Sequence, residues 1–491
     1  MPDVAPETLV VRIIELCADC GLCQEMMAGA PCQFFPRLFR LHERSADGGA
    51  TSDDLKTLID LCNACGQCPC QSVQAKIREA KDAFVERDGL PTTVRLLEDV
   101  RLMGRLCGAV PRLANLLIQN EPTAGLLKKA VGIHPDRKLP RFPKDGFDSW
   151  AERRGLCRMR ETVGQKVAYF TGCTARYMFP EVAKAAVEVL EHNGISVYLP
   201  DQRCCGMPTM LEGHRAFTFE LAGFNVPELL RCIEAGYDIV TSCPTCGYML
   251  KSVLRLGAPF SKEYRARVTE MVAEAGGDLT AVGERLEREE MAFSGRANAE
   301  SAWGRQPWFL AYIGGGRIRD MVCDDGYFAA LDGRDRIRVA SHTFELGEYL
   351  RLLRDAGTLN RDFGPLPARL AYYPPCHLKE QNIGQPWAEL LALLPGTRME
   401  TVGGVYDCCG LGGVMGFKKD FHRVSLAMGR RLMAKIKASD PDKVVTDCLS
   451  CRLQFNQMLA YPVAHPVEIL WESYRSGIES VKAAPGNAQP A

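Results

Sequence analysis

The chain has 491 residues, of which 46% are hydrophobic and 24% charged, a composition typical of globular proteins. Lysine plus arginine and aspartate plus glutamate both total 60, so the formal net charge of zero gives no indication of a nucleic-acid partner. The length predicts about three domains. No apolar stretch approaches the ~18–20 residues that span a bilayer, and the N-terminal apolar run is interrupted by Arg12, so neither a membrane span nor an export signal is predicted.

Cysteine is unusually abundant in this chain. Eighteen of the 22 cysteines fall in regularly spaced groups. Without an export signal the chain is expected in the reducing cytoplasm, where grouped cysteines bind metal more often than they form disulfides. Two groups are vicinal pairs, Cys204–Cys205 and Cys408–Cys409. Because neighbouring Cα atoms lie ~3.8 Å apart, closer than a disulfide prefers, the cysteines predict metal centres.

Residues 8–90 are predicted to form a helical domain that holds two cubane [4Fe–4S] clusters. Each of its two motifs has three cysteines at C-x2-C-x2-C spacing and a fourth nearby. In two-cluster ferredoxins the fourth ligand of each cube comes from the other motif. The predicted ligands of the first cluster are therefore Cys17, Cys20, Cys23 and Cys70, and those of the second are Cys62, Cys65, Cys68 and Cys32.

The fourth ligands of this domain depart from the usual ferredoxin pattern. Eight residues separate Cys32 from Cys23, one separates Cys70 from Cys68, and a proline precedes Cys32 and Cys70. The alternative is a zinc site made of two CxxC pairs, which leaves four thiols without a role. Residues 71–89 have apolar side chains at helical spacing. The domain resembles the helical ferredoxin domain of quinone-linked reductases.

Residues 91–165 are predicted to be a basic amphipathic linker. Within 91–141, nine lysines or arginines stand against four acidic residues, and leucines are interleaved with them. Such a segment either packs as a helix across the domains or lies on an anionic membrane face. The second interpretation gives peripheral association with the inner face of the cell membrane and access to quinone without a membrane span.

The remaining cysteines form an internal repeat. In the first copy, Cys173 lies 31 residues before Cys204, and Cys243 lies 38 residues after Cys205. In the second copy the corresponding separations are 32 and 39 residues, and the two copies are offset by 203–205 residues. The predicted ligands are Cys173, Cys204, Cys205, Cys243 and Cys246 in the first copy, and Cys376, Cys408, Cys409, Cys448 and Cys451 in the second.

Short apolar runs precede most cysteines of the repeat, as in "VAYFTGC" and "LAYYPPC", and amphipathic helical stretches separate these runs. Short buried strands alternating with helices predict a parallel sheet, whose ligands gather at the carboxyl ends of the strands. The predicted domains are 166–255 and 367–480, separated by an insertion over 256–366 and followed by a disordered tail over 481–491. A structural zinc in each copy is the alternative to a cluster.

The cysteine spacing of both copies resembles the CCG domain of heterodisulfide reductase and its relatives. In that family, five cysteines bind a non-cubane [4Fe–4S] cluster, so two such clusters are implied here. The stretches "CCGLGGVMGFKKDF" and "VVTDCLSCRLQ" are similar to the iron–sulfur subunit of anaerobic glycerol-3-phosphate dehydrogenase, and the domain order is also that of the glycolate oxidase iron–sulfur subunit. The implied fold is α+β and multidomain, a helical dicluster ferredoxin domain followed by two α/β CCG domains with parallel sheets.

Three functions follow from this interpretation. In the first, the chain is the iron–sulfur subunit of a multi-subunit oxidoreductase and relays electrons between a flavoprotein dehydrogenase subunit and quinone, since no dinucleotide or haem motif occurs in it. In the second, it is a thiol–disulfide reductase that uses the CCG clusters. In the third, zinc stabilises a scaffold without a redox role. Separately, His377 and Lys379, which follow Cys376, are expected to cap a loop, or alternatively to tune a cluster or donate a proton to quinone.

Overall fold

The computed structural model describes residues 4–44, 49–66, 68, 70–143, 145–160, 164–290 and 326–483. Its first part is helical, as the sequence predicts, and packs around Val10, Leu38, Leu58 and Phe84. Proline at the first position starts the first helix, and a capping box between Thr51 and Asp54 starts the fourth. The helices are α1 (Pro6–Cys20), α2 (Leu22–Met26), α3 (Phe34–Arg44), α4 (Ser52–Asp60) and α5 (Gln71–Asp88).

The linker forms short helices with many leucines facing outward. They are α6 (Thr92–Glu98), α7 (Val100–Ala109), α8 (Pro111–Gln119), α9 (Glu121–Ala130) and α10 (Phe147–Arg153). Between α9 and α10 the chain crosses the second of two parallel-sheet modules, both of which are described below. There Ile133 forms an antiparallel bridge with Lys418, and the His134 amide donates to the Phe417 carbonyl (3.1 Å). The linker is thus anchored to the module by this crossing segment.

The first module is a four-stranded parallel sheet in the order β2-β1-β3-β4. Its strands are β1 (Lys166–Phe170), β2 (Ser196–Tyr198), β3 (Asp238–Thr241) and β4 (Thr343–Glu345). The helices are α11 (Cys173–Tyr177), α12 (Pro180–His192), α13 (Met207–Leu211), α14 (Arg215–Glu234), α15 (Pro244–Gly247), α16 (Lys262–Glu274), α17 (Leu279–Glu290) and α18 (Gly333–Ser341), with a π-helical segment at Tyr248–Val253 and a 3-10 turn at Ala258–Phe260.

The second module repeats this topology, with all strands parallel in the order β6-β5-β7-β8. Its strands are β5 (Arg369–Tyr372), β6 (Arg398–Thr401), β7 (Lys443–Val445) and β8 (Val463–Ala464). The helices are α19 (Leu346–Asp355), α20 (Cys376–Lys379), α21 (Pro386–Leu391), α22 (His422–Ala438), α23 (Leu449–Met458) and α24 (Pro466–Ala483), with a 3-10 turn at Met415–Phe417. The predicted parallel sheets are therefore confirmed.

A single hydrophobic core joins the two modules. Val182 of α12, Tyr349 of α19 and Leu470 of α24 are all buried within it. His465 reaches across the junction, and its Nε2 lies 3.0 Å from the carbonyl oxygen of Ser242. The two modules therefore pack as one unit, which fixes the cysteine group of one relative to that of the other.

Two predicted boundaries differ from the structure. The predicted insertion 256–366 contains β4, which pairs in register with β3 and completes the first sheet. This strand, Thr343–Glu345, is only three residues long, too short for periodicity to reveal. The tail predicted to be disordered from 481 begins inside α24, which extends to Ala483, and residues 484–491 lie outside the described residues, as do 291–325.

Candidate metal centres

The five predicted ligands of the first module meet at the carboxyl ends of its strands. The Sγ atoms of Cys173 and Cys204 lie 3.6 Å apart. The Cys205 thiol contacts those of Cys204 and Cys246, and Cys246 also contacts Cys243. Cys173 is partly buried, and the other four are buried. The sequence-predicted quintet is therefore one continuous group of sulfur atoms.

The second module brings its quintet together in the same way. The Cys409 thiol contacts those of Cys408 and Cys451, and Cys451 contacts Cys448. The charges of Cys409 and Cys448 act on Cys376 at the rim of the group. Cys376 is partly buried while the other four are buried, as in the first module.

Repeated local structure places these cysteines. Cys173 and Cys376 are each the first residue of a short helix that follows a central strand. Cys243 and Cys448 each precede a helix as its N-cap residue, so the second cysteine of each CxxC motif lies in the first helical turn. The amides of both N-cap cysteines donate to a threonine hydroxyl two residues earlier, at 3.4 Å in each module, and this bond orients the loop.

The eight N-terminal cysteines lie near one another, and the thiols that act on Cys32 are Cys62 from its own predicted set and Cys23 from the other. The thiols whose charges act on Cys17 are Cys23, Cys70 and Cys20, which are the other three members of the first set. Those that act on Cys68 are Cys62 and Cys32, both from the second set. A cavity is lined by all four cysteines of the second set, Cys32, Cys62, Cys65 and Cys68, together with Cys408 of the C-terminal module.

Exposure differs between the two N-terminal groups. Cys20 and Cys70 of the first group are exposed to solvent, whereas every cysteine of the second group is partly buried. The charge of Cys65 acts on Cys408, so the second group borders the cysteine pair of the C-terminal module. The four groups thus extend from the protein surface into the interior.

His377 links three of the cysteine loops. Its Nδ1 lies 3.0 Å from the hydroxyl of Thr245, between the cysteines of the first CxxC motif, and its Nε2 lies 3.2 Å from the Ala64 carbonyl oxygen, next to Cys65. The ring stacks on Tyr248 with centroids 4.9 Å apart. Lys379 donates to the Gly404 carbonyl (2.8 Å), so the expected loop-capping role of both residues is present and extends across domains.

Sequence reasoning missed two side chains of the sites. Buried Asn225 of α14 accepts from the Arg203 amide (2.8 Å) and donates to the Cys204 carbonyl (3.0 Å), which holds the vicinal pair in place. Buried Arg137, from the linker, interacts electrostatically with Cys409. Neither position lies in a recognisable motif, and only the tertiary fold brings either residue to a cysteine.

The electrostatics of the thiol groups fit a cationic inorganic core. Burial and the neighbouring thiols raise the pKa of Cys17 to about 12, and burial with the charge of Cys62 raises the pKa of Cys68 to about 12. Within the first quintet, hydrogen bonds from Cys204 and Cys246 lower the pKa of Cys205 to about 6, whereas the pKa of Cys246 is raised. Burial and mutual repulsion therefore oppose the ionisation of all five thiols, and a bound metal would favour it.

Two further observations describe the part of the chain that the structure covers. Within the described residues, no group of three or more histidine, cysteine, aspartate or glutamate side chains is arranged to hold a single metal ion. None of the helices there is both long enough and apolar enough to cross a bilayer.

Comparison with known proteins matches both modules to one family. The cysteine-rich domain named CCG matches residues 167–251 and 370–456. Over 377 residues the chain is 24% identical to the C subunit of anaerobic glycerol-3-phosphate dehydrogenase of Escherichia coli (strain K12), with 76% of this chain and 75% of the relative covered. It is also 24% identical over 306 residues to the B subunit of fumarate reductase (CoM/CoB) of Methanothermobacter marburgensis, with 61% of this chain and 44% of the relative covered.

A further relative is an uncharacterized iron–sulfur protein of Methanococcus maripaludis, which is 22% identical over 301 residues, with 61% of this chain and 42% of the relative covered. The chain therefore carries two copies of the CCG cysteine-rich domain, one in each parallel-sheet module. It is homologous to the glycerol-3-phosphate dehydrogenase subunit, as the sequence resemblance predicts, and also to the fumarate reductase subunit.

Proposed function

We propose that the chain is the iron–sulfur electron-transfer subunit of an oxidoreductase. Its N-terminal helical domain is a dicluster ferredoxin domain with two cubane [4Fe–4S] clusters, held by the two groups of four cysteines. Each CCG domain holds one non-cubane [4Fe–4S] cluster through its five cysteines. Such clusters, when bound, accept and release single electrons. The chain relays electrons between a flavoprotein dehydrogenase subunit and quinone.

The observation that carries this proposal is the convergence of each quintet at the strand ends of its sheet. Five thiols, four of them buried, exceed what one structural zinc ion uses, since zinc takes four ligands. Arg137, which interacts electrostatically with Cys409 of the second quintet, adds a buried guanidinium whose Nε and Nη2 have no hydrogen-bond partner in the described part of the chain. Sulfide or thiolate acceptors of a bound cluster would satisfy such donors.

The order of the cysteine groups supports a relay. The first N-terminal group is exposed at Cys20 and Cys70, where a redox partner can approach it. The second borders Cys408 and lies one hydrogen bond from His377, which in turn contacts the first CxxC loop. Residues of this chain therefore connect a surface group to both interior groups. The names of two relatives designate subunits of a dehydrogenase and of a reductase, which supports the presence of a partner subunit here.

The linker supports contact with a membrane that contains quinone. Along α7 to α9, eight large apolar side chains are exposed, and Leu116 and Leu126 are exposed by 65% and 72%. Between 100 and 130 the sequence has five lysines or arginines and one acidic residue, Glu121. Exposed leucines beside basic residues suit the boundary of an anionic bilayer, at the inner face of the cell membrane.

A second candidate function is thiol–disulfide reduction by the CCG domains. It is favoured by the similarity to a fumarate reductase subunit whose name includes CoM/CoB and by the resemblance of the cysteine spacing to that of heterodisulfide reductase. In this case a disulfide replaces quinone as the electron acceptor.

The test begins with anaerobically prepared protein. We expect about sixteen iron atoms and as much acid-labile sulfide per chain, and absorption near ~400 nm that dithionite bleaches. Protein reduced in this way is then mixed with a quinone analogue or with a disulfide. Oxidation by quinone alone supports the first function, oxidation by disulfide alone supports the second, and a colourless zinc-containing protein contradicts both.

A further inference from the structure

The crossing segment of the linker, residues 133–138, is fastened to the second CCG domain at several points. The Lys138 amide donates to Gln457 Oε1 (2.7 Å), and Gln457 Nε2 donates to the Asp136 carbonyl (3.0 Å). The rings of His134 and His422 stack with centroids 4.2 Å apart. These contacts come from both the backbone and the side chains of the segment, so its position over the domain is well determined.

Within this segment, Arg137 alone turns fully inward, with 0% of its surface exposed. Its Nη1 donates to Oε1 of Gln454 (2.6 Å), which lies one turn after Cys451 on α23. Its guanidinium packs over the ring of Phe417 at 4.6 Å. One edge of the guanidinium is therefore fixed by Gln454 and one face by Phe417.

The other two nitrogen atoms of Arg137, Nε and Nη2, are buried, and among the residues that the structure describes neither has a hydrogen-bond partner. Burying a guanidinium without partners for its donors is costly, so such a group is normally paired. The charged group that acts on Arg137 is Cys409, the second cysteine of the vicinal pair, and the effect is mutual. Because Gln454 follows Cys451 by one turn on the same face of α23, the guanidinium that Gln454 holds lies close to the cysteine group of the second domain.

We propose that Arg137 donates hydrogen bonds from Nε and Nη2 to the sulfur atoms of the cluster that the second quintet holds, and thereby raises the reduction potential of that cluster. This inference rests on the proposed function, since it requires a cluster at this quintet. Hydrogen bonds to sulfur and added positive charge stabilise the reduced, more negative state of an iron–sulfur cluster. In this role Arg137 tunes the cluster through hydrogen bonds and charge without being one of its ligands.

The first CCG domain provides an internal comparison. The groups with the largest influence on the pKa of Cys205, which corresponds to Cys409, are other thiols and a backbone amide. No guanidinium is among these principal influences. Arg203, next to Cys204 in the first domain, is ion-paired with Glu220 (2.6 Å), whereas Arg137 is bonded to the neutral side chain of Gln454. The two CCG clusters, although held by equivalent cysteines, are therefore expected to differ in potential, the second being reduced more easily.

The test is a redox titration followed by EPR of the full chain, with the Arg137→Met, Arg137→Lys and Lys138→Met variants. Arg137→Met should shift the reduction equilibrium of one CCG cluster at least about tenfold toward the oxidised state, which is about 59 mV for one electron, and leave the other cluster unchanged. Arg137→Lys keeps the positive charge and should shift the reduction equilibrium of that cluster less. Lys138→Met is the matched control on the same segment. The Nζ of Lys138 is exposed and donates to the Asn456 carbonyl (3.2 Å), so its loss should leave both potentials unchanged.

A merely structural role is distinguished by labelling. In wild-type protein with 15N-arginine, pulsed EPR of the reduced second cluster should detect exchangeable protons and 15N from one arginine, and Arg137→Met should abolish both signals. This measurement decides the question even if Arg137→Met fails to fold. If Arg137→Met keeps its iron content, both reduction potentials and the 15N and proton couplings, the role of Arg137 is overturned while the proposed function stands. Wild-type protein without a cluster at the second quintet overturns both.

Discussion

The glycine that follows each vicinal cysteine pair should be required for the loop to form. Gly410 has φ +88°, in the left-handed region, and a Cβ built there would lie 2.2 Å from the carbonyl oxygen of Ser425. Gly206 has φ +91°, but its Cβ would come no closer than 3.3 Å, to a methyl group of Thr218. The backbone of α22 therefore lies closer to Gly410 than the backbone of α14 lies to Gly206.

The expected costs follow from these distances. Alanine in the left-handed region costs about 1–2 kcal/mol, which applies at both positions. At Gly410 the contact is with backbone that cannot rotate away, so overpacking adds about 1–3 kcal/mol. Gly404, in the loop before the second pair, has no left-handed φ and its Cβ would meet nothing closer than 3.6 Å. Alanine there should be neutral, or stabilising by up to about 1 kcal/mol.

The assay is thermal unfolding of anaerobic protein combined with iron content per chain. We expect the loss of thermal stability and of iron to rank Gly410→Ala above Gly206→Ala, with Gly404→Ala equal to wild type. Gly410→Ala should lose the iron of one cluster, about four atoms, before the other clusters are affected. Equal behaviour of the Gly410 and Gly404 variants would refute the argument that backbone proximity demands glycine after the pair.

Three further predictions concern other parts of the chain. Asn225→Ala should destabilise the first CCG loop by about 1–3 kcal/mol, because it leaves the Arg203 amide and the Cys204 carbonyl unpaired, and iron analysis should show loss from one cluster only. Burial raises the pKa of Glu98 from 4.5 to about 8. The stability that its neutral form contributes is therefore fully present below pH 4.5 and is lost as the pH rises toward 8. Glu98→Gln, which stays neutral, should flatten the fall in melting temperature between pH 5.5 and 8, and a slope equal to that of wild type would contradict this assignment. The double variant Leu113→Gln/Leu116→Gln should sediment less with vesicles of anionic lipid than the wild type, and high salt should release the wild type from them. The control Val405→Gln, at a 69% exposed site outside the linker, should bind as the wild type does.

The cysteine spacing predicted most of the site because the protein repeats it. The strands before Cys173 and Cys376 are short and continuously apolar, which is typical of buried parallel strands, and they place both residues at the same sheet edge. Likewise the crossed assignment of Cys70 to the first N-terminal group agrees with the electrostatic neighbours of Cys17. The domain boundaries and the ligand role of each cysteine stay predictions.

The parts that the sequence did not reveal depend on contacts between distant segments. Arg137 and Gln454 are 317 residues apart, and no local pattern marks either one as a neighbour of a cysteine group. His377 was expected to cap a loop, but no local pattern indicates that the loops it joins are those that contain Ala64 and Thr245. The strand β4 was hidden because three residues are too few to show a period and because more than ninety residues separate it from β3, its partner in the sheet.

The most direct test is Mössbauer spectroscopy of anaerobically prepared, 57Fe-enriched protein, combined with metal analysis. If ten thiols in two matched sets hold iron–sulfide cores, the Cys173→Ser and Cys376→Ser variants should each remove the spectral component of a different non-cubane cluster and leave the cubane components intact. Wild-type protein that contains zinc and no iron would contradict the assignment of one cluster to each CCG domain. Loss of the same spectral component in both variants would contradict it as well.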